Sequence, residues 1–277
     1  MSERLADIAA HIDGIRELGA VVNAMRGIAG ARARQAKDAL GAVALYAESL
    51  SAAIGRTLAM MPDGDGAVTG RGRIVVLFLA EQGFAGAFSE RLLDAAGDLD
   101  GASLFLVGTR GAALAAGRGI RAAWQEALPA RPAEMPRLAE RIAAALYPRI
   151  AAGRVGRLEA WFAGDGLERR PLFPLDRTSP ADAPRADPPL TQLPPASLLA
   201  GLTADYIHAQ LCDVALRAFA AENAARMEAM ASAHREIGRQ LGVLEARRRI
   251  VRQDEITAEI IELAAGEAAS RGSMAEL

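Results

Sequence analysis

Apolar residues step by three and four along both ends of the chain. Near the start, Leu5, Ile8, Ile12, Ile15, Gly19 and Val22 fall in phase, and further on Ala36, Leu40, Val43, Ala47, Leu50 and Ile54 repeat the spacing. A single apolar stripe recurring in this way predicts an amphipathic helix of coiled-coil type. The far end does the same through Ile207, Leu211, Val214, Ala218, Ala221 and Ala225, loses phase near Glu228, and resumes at Met230, His234, Ile237, Leu241 and Leu244. Such a slip is a stutter between two in-phase stretches. All thirteen prolines lie between Pro62 and Pro195. Because proline costs a helix interior about 3 kcal/mol, both ends are free to run as unbroken helices. From Leu199 to Leu263 such a helix measures on the order of 100 Å at 1.5 Å per residue. The many alanines on the seam suit a slender two-helix rod, since small residues let two backbones approach closely.

The middle has a different texture. RIVVLFLA (Arg73 to Ala80) and SLFLVG (Ser103 to Gly108) are short, continuous apolar runs ended by glycine or turn residues, as strands buried on both faces tend to be. Helical patterns follow over Phe88 to Ala96, Ala112 to Ala116 and Met135 to Ala152, and RLEAWFAG (Arg157 to Gly164) alternates like a further strand. This order predicts a small Rossmann-like α/β domain. The stretch Pro171 to Pro195, rich in proline and aspartate, reads as a surface loop and not as a strand. The expected division is therefore an N-terminal coiled-coil helix over 1–61, an α/β domain over 62–195 that includes the loop 171–195, and a C-terminal coiled-coil helix over 196–277.

Charge and composition remove whole classes of function. A net charge of −2 supplies no chain-wide basic field, so nucleic acid is not an expected partner. Lys37 is the only lysine among thirty-two basic residues, and the Gly-Lys-Ser/Thr end of a Walker A loop occurs nowhere. The lone Cys212 forms no internal disulfide, which fits a reducing, cytoplasmic compartment. No apolar run reaches the roughly 18 residues of a membrane span. His11, His208 and His234 carry no zinc-ligand spacing. EQGFAGAF (Glu81 to Phe88) and GTRGAALAAGRG (Gly108 to Gly119) are glycine-bearing turns after strands; a phosphate role there competes with simple strand-to-helix turning, and neither has the G-x-G-x-x-G order. Charge on the helices stands out instead. Arg26, Arg32, Arg34 and Lys37 form one acid-free basic stretch and Arg247, Arg248, Arg249 and Arg252 a second.

Three stretches resemble the gamma subunit of the F-type rotary ATP synthase. VVNAMRGIAGAR (Val21 to Arg32) keeps Ala24, Met25 and Ala29 of the family's N-terminal signature. LAEQGFAGAFSERL (Leu79 to Leu92) keeps Gly83, Gly86 and Leu92 of its strand-and-turn motif. AENAARMEAM (Ala221 to Met230) and VRQDEITAEIIELAAG (Val251 to Gly266) match its two C-terminal motifs without insertion between them. Gly27, Asn23, Gln82, Ala87 and Arg248 depart from the usual pattern and suggest a divergent or alternative-operon branch. The resemblance implies that the two ends wrap into an antiparallel coiled coil inside a ring of three alpha and three beta subunits. The α/β domain would sit at the foot beside the epsilon subunit and the membrane c-ring, on the cytoplasmic face of the bacterial inner membrane. Antiparallel pairing sets Leu40 near Leu211 to Leu216 and Met25 near Met227 to Ile237. Catalysis would belong to the beta subunits, with no cofactor and no catalytic or metal residue in this chain. Its subunit contacts would be Met25, Arg26, Arg252, Gln253, Thr257, Glu259 and Glu262. A free coiled-coil adaptor with an α/β head, and an α/β phosphate-binding enzyme, are the alternatives.

Overall fold

The computed structural model describes residues 2–61, 70–97, 99–164, 166–174 and 190–274, with the side chains of 2–4 and 266–274 left aside. Helix α1 (Ser2–Leu58) and helix α5 (Pro195–Met274) carry the two proline-poor ends. Between them come β1 (Gly72–Phe78), α2 (Phe88–Ala96), β2 (Ala102–Val107), α3 (Thr109–Gly117), β3 (Trp124–Glu126), α4 (Met135–Ala151), β4 (Val155–Ala163) and β5 (Leu167–Phe173). Internal contacts group the chain into two units, Met1–Gly27 with Ala229–Leu277, and Ile28–Glu228.

In the larger unit the strands lie in the order β3-β2-β1-β4-β5. The first four are parallel and β5 runs antiparallel to β4. Strand β1 is central, and its alternation explains why it reads as an unbroken apolar run. Ile74, Val76 and Phe78 enter a core with Leu138, Ile142 and Leu146 of α4, Leu211, Val214 and Phe219 of α5, and Ala36 of α1. Val75, Leu77 and Leu79 enter a second core with Phe88, Leu92 and Leu93 of α2 and Ala112 and Ala115 of α3. Helices on both faces of a mostly parallel sheet make this a doubly wound domain.

Two elements differ from the sequence pattern. The expected loop begins as a strand, because Pro171, Leu172 and Phe173 complete β5; residues 175–189 of that loop, like 62–69, lie outside the described residues. Proline is admissible there because β5 is an edge strand that pairs only with β4, and Pro171 faces Glu159 beside a register shift at Leu158/Glu159. A missing N–H costs no ladder bond on an open edge. The three-residue β3 is too short to show a period. It is held in place from outside, by the Trp124 ring stacked on Phe105 at 5.2 Å and by Gly108 N–H donating to the Glu126 carbonyl at 2.9 Å.

Glu159 of β4 is nearly buried, and its carboxylate accepts from Arg73 at 3.0 and 3.1 Å and from Arg157 at 2.8 Å. Burial pushes its pKa up, yet the two guanidinium groups more than offset this and hold it below the usual value. A depressed pKa contributes stability above the unfolded-state value, and that stability is lost as pH falls through the folded one. Glu159→Gln is therefore expected to cost about 1–3 kcal/mol at pH 7. The gap to the parent should shrink progressively as pH falls below about 5. Urea unfolding at pH 7 and pH 3 checks this, and an equal gap at both would refute it.

In the smaller unit the helices run antiparallel. Gly19 lies against Ile237, where an added Cβ would stand 3.2 Å from Cγ2, while Arg16 pairs with Glu245 at 2.8 Å, so α5 numbers rise as α1 numbers fall. Val22, Met230 and Ile237 are buried, with Ile15, Met25, Ala233 and Leu241 packed around them. The seam thus passes through Ala233. His234, expected on it, is exposed. An imidazole there would leave ring nitrogens unpaired in a thin apolar seam, whereas a methyl fits. Burying large side chains contributes about 1.5–3 kcal/mol each, against at most about 1 kcal/mol for an exposed ion pair such as Arg16–Glu245. The apolar seam is what holds this pair together.

Candidate functional site

The residues assigned to subunit contact fall in two groups, both in the smaller unit. Met25 is half-buried in the cluster with Met230 and Ile237, and Arg26 donates to Asn23 Oδ1 at 2.9 Å. Arg252, Gln253, Thr257, Glu259 and Glu262 are exposed on α5. Thr257 Oγ1 donates back to the Gln253 carbonyl at 2.8 Å, the usual way a threonine satisfies its hydroxyl inside a helix. The structure does not bring the groups together: Met25 is level with Met230 to Ile237, and Arg252 lies about 20–30 Å further along α5 at 1.5 Å per residue. Counting from the Arg16–Glu245 pair at equal rise, Ser2 is level with Glu259, so the tip of α5 runs on past the start of α1. Ile260, Ile261 and Leu263 on this stretch, and Ile250 and Ile256 level with the first turns of α1, are each about half or more exposed.

Sequence reasoning missed a second site, built of charge inside the larger unit. Glu222, Asn223 and Arg226 of α5 are all buried. The Glu222 carboxylate accepts the backbone N–H groups of Glu81 at 3.2 Å and Gln82 at 3.1 Å and pairs with Arg226. Arg226 donates Nε to the Gly83 carbonyl at 3.0 Å, Nη2 to the Gln82 carbonyl at 3.2 Å and Nη1 to Asn223 Oδ1 at 3.1 Å. Asn223 in turn donates to the Phe219 carbonyl at 2.9 Å. A buried ion pair persists when its remaining donors and acceptors are satisfied, and here the turn after β1 satisfies them. That turn carries Phe84 at a φ of 62°, exposed and left-handed, a conformation a bulky residue keeps only when its surroundings over-determine it. The available signal was a Glu and an Arg four apart, with Asn between, on an otherwise apolar helix face.

Glu81 extends the joint. Its carboxylate accepts from Thr109 N at 2.9 Å, Thr109 Oγ1 at 2.8 Å and Leu128 N at 2.9 Å. The two Thr109 donors are at the start of α3, where a nucleotide-type fold seats an anion, and Leu128 follows β3. The chain's own side chain takes that position, which disfavours the phosphate reading of the two glycine-bearing turns. Cys212 is buried, with its thiol pushed up to about 12 by burial first and by Glu140 and Asp213 second. The His208 ring lies 3.9 Å from its sulfur, but a thiol so shifted supplies no thiolate at neutral pH. Among the described residues no cluster of three His, Cys, Asp or Glu is placed to hold a metal, and no helix is long and apolar enough to cross a membrane.

Long N- and C-terminal helices, with a small doubly wound α/β domain between them in sequence, define the class of fold. The model of the ATP synthase family matches residues 4–269, and the chain belongs to that family, the one of the gamma subunit. The ATP synthase gamma chain of Solibacter usitatus (strain Ellin6076) is 36% identical over 99 residues, a stretch that covers 35% of this chain and 35% of that protein. The match thus spans about a third of that relative's length. In fold, the chain is similar to one from the Euglena gracilis mitochondrial ATP synthase rotor in rotational state 1, with a TM-score of 0.61 and 12% identity over 92% of this chain and 100% of that one. It is likewise similar to a chain from the OSCP/F1/c-ring structure of the same enzyme in rotational state 3, with a TM-score of 0.62 and 14% identity over 99% and 96%.

Proposed function

We propose that this chain is the central rotor shaft of an F-type ATP synthase. It is a non-catalytic subunit that couples transmembrane ion flow to ATP synthesis or hydrolysis at the beta subunits. The observation that carries this reading is the tip of α5, where Ile250, Ile256, Ile260, Ile261 and Leu263 stand exposed. At about 100° per residue they spread over roughly half the helix circumference, wider than the roughly 100° stripe typical of a helix packed on one face. A protein sleeve that surrounds the tip buries all of them, and a ring of three alpha and three beta subunits is such a sleeve. Arg252, Gln253, Thr257, Glu259 and Glu262 would then meet the ring near the tip, and Met25 and Arg26 lower on the shaft. The epsilon subunit and the c-ring are the expected partners of the α/β domain, at the cytoplasmic face of the bacterial inner membrane. The work is conformational: an asymmetric shaft biases each beta subunit toward states of different nucleotide affinity.

Reconstitution tests the reading. The isolated chain is expected neither to bind ATP tightly nor to hydrolyse it, but to raise the ATPase activity of its host's alpha and beta subunits by about tenfold or more, a barrier change of only about 1.4 kcal/mol. Robust turnover by the purified chain alone, or no stimulation of the ring, would overturn it.

A further inference from the structure

Helix α5 meets the sheet through two kinds of contact. Ile207, Leu211, Val214, Ala215, Ala218 and Phe219 are buried in the apolar core. Apolar burial is non-directional, so it resists separation of the helix from the sheet more than rotation of the helix about its own axis. On the α4 side, the Tyr147 hydroxyl donates to the Ala204 carbonyl at 3.1 Å and the His208 ring lies 3.2 Å from the Pro136 carbonyl. Directional contacts to the sheet and its turns come from two polar joints along the same stretch. At the first, Asp213 accepts from Arg170 of β5 and, at 2.7 Å, from Arg217. Arg170 also donates to Gln210 Oε1 at 3.2 Å, and its guanidinium lies 5.1 Å over the Phe162 ring. The second is the grip of Glu222 and Arg226 on the turn at Gln82 and Gly83. Asp213 and Glu222 are nine residues apart, which at about 100° each places them about half a turn apart around the helix.

We infer that these two joints grip α5 from opposite sides, one from the edge strand and one from the turn after the central strand, and lock it against rotation about its axis. Torque that enters the α/β domain then passes into α5 as a couple. The inference rests on the rotary reading above. Arg170, Asp213, Glu222 and Arg226 are positioning residues in this scheme, since they act through the helix they hold.

The test compares the assembled complex in membrane vesicles carrying Arg170→Met, Arg226→Met, or both. Neighbouring groups within one device are non-additive, and the double variant is expected to lower ions pumped per ATP by about threefold or more. Each single variant should lower it less, and ATPase activity without an ion gradient should stay within about twofold of the parent. Arg226→Lys, which keeps the charge but not the fork, should restore only part of the pumping. Unchanged pumping in the double variant overturns the inference. So does a parallel fall of pumping, gradient-free ATPase and thermal stability, which marks a merely structural role. Hydrogen exchange on the isolated full chain gives a second, independent reading. In Glu222→Gln the amides of Glu81 and Gln82 should exchange about tenfold faster, corresponding to about 1.4 kcal/mol, while amides of β2 do not change. Unchanged exchange at both, or loss of protection throughout the sheet, sinks the proposal. If the parent chain fails to stimulate the ring, the rotary reading fails, and the exchange result still decides whether the joints hold.

Discussion

With Cys212 replaced by serine, oxidising a Gly19→Cys, Ile237→Cys pair should close a disulfide inside the smaller unit and leave ATP turnover by the assembled complex within about twofold of the reduced form. The Cβ position at Gly19 stands 3.2 Å from Ile237 Cγ2, which is compatible with the roughly 3.5–4.5 Å between Cβ atoms of a disulfide. On the proposed rotary reading, such a bond joins two parts of one rotor. On the same reading, a Gln253→Cys variant, exposed near the end of α5, tied instead to a cysteine in a surrounding beta subunit would join rotor to stator. Its oxidation should lower coupled turnover by about tenfold or more, with recovery on reduction, since a conformational step that cannot complete limits every cycle. Failure of the Gly19–Ile237 pair to crosslink in a folded, assembled complex would refute the antiparallel pairing. Full coupled turnover with Gln253 tied to the ring would refute rotation of the tip.

Gly111→Val is expected to be among the most damaging single changes to the α/β domain. Gly111 N–H donates to the Ala80 carbonyl at 2.9 Å, which draws α3 close to the end of β1. A Cβ there would meet Leu79 Cβ at 2.2 Å and Ser89 Oγ at 3.0 Å. Leu79 Cβ is not the free end of a flexible side chain, so the backbone must move, and overpacking of this kind costs about 3 kcal/mol. At Gly117 of the same helix nothing lies within 4 Å of an added Cβ. Gly117→Ala should therefore change stability by less than about 1 kcal/mol. Urea unfolding of the isolated chain separates the two, and equal midpoints for both variants would contradict the close-approach argument.

What the sequence by itself determined follows from local periodicity. The seams of α1 and α5 are legible because heptad-like spacing and an absence of proline act within one helix. Strands β1 and β2 are legible because strands covered on both faces must be apolar at successive positions. The expectation that residues from Met25 to Glu262 contact other subunits came from resemblance alone, since no local rule distinguishes Arg252 or Gln253 from any other solvated pair on a helix.

Tertiary structure decided the rest, in each case because the deciding partner is distant along the chain. Pro171 sits in a strand because β5 is an edge, and strand order is not written in seven residues. Ala233 rather than His234 lies on the seam because Val22 and Met25 of another helix set which face is dry. Glu222 and Arg226 are buried because, some 140 residues earlier, the turn from Glu81 to Gly83 offers the N–H groups of Glu81 and Gln82 and the carbonyls of Gln82 and Gly83 as hydrogen-bond partners. Local hydropathy assigns a glutamate and an arginine to water. Only the fold supplies the partners that make their burial affordable in free energy, because an ionised group leaves water only where other fixed dipoles replace it.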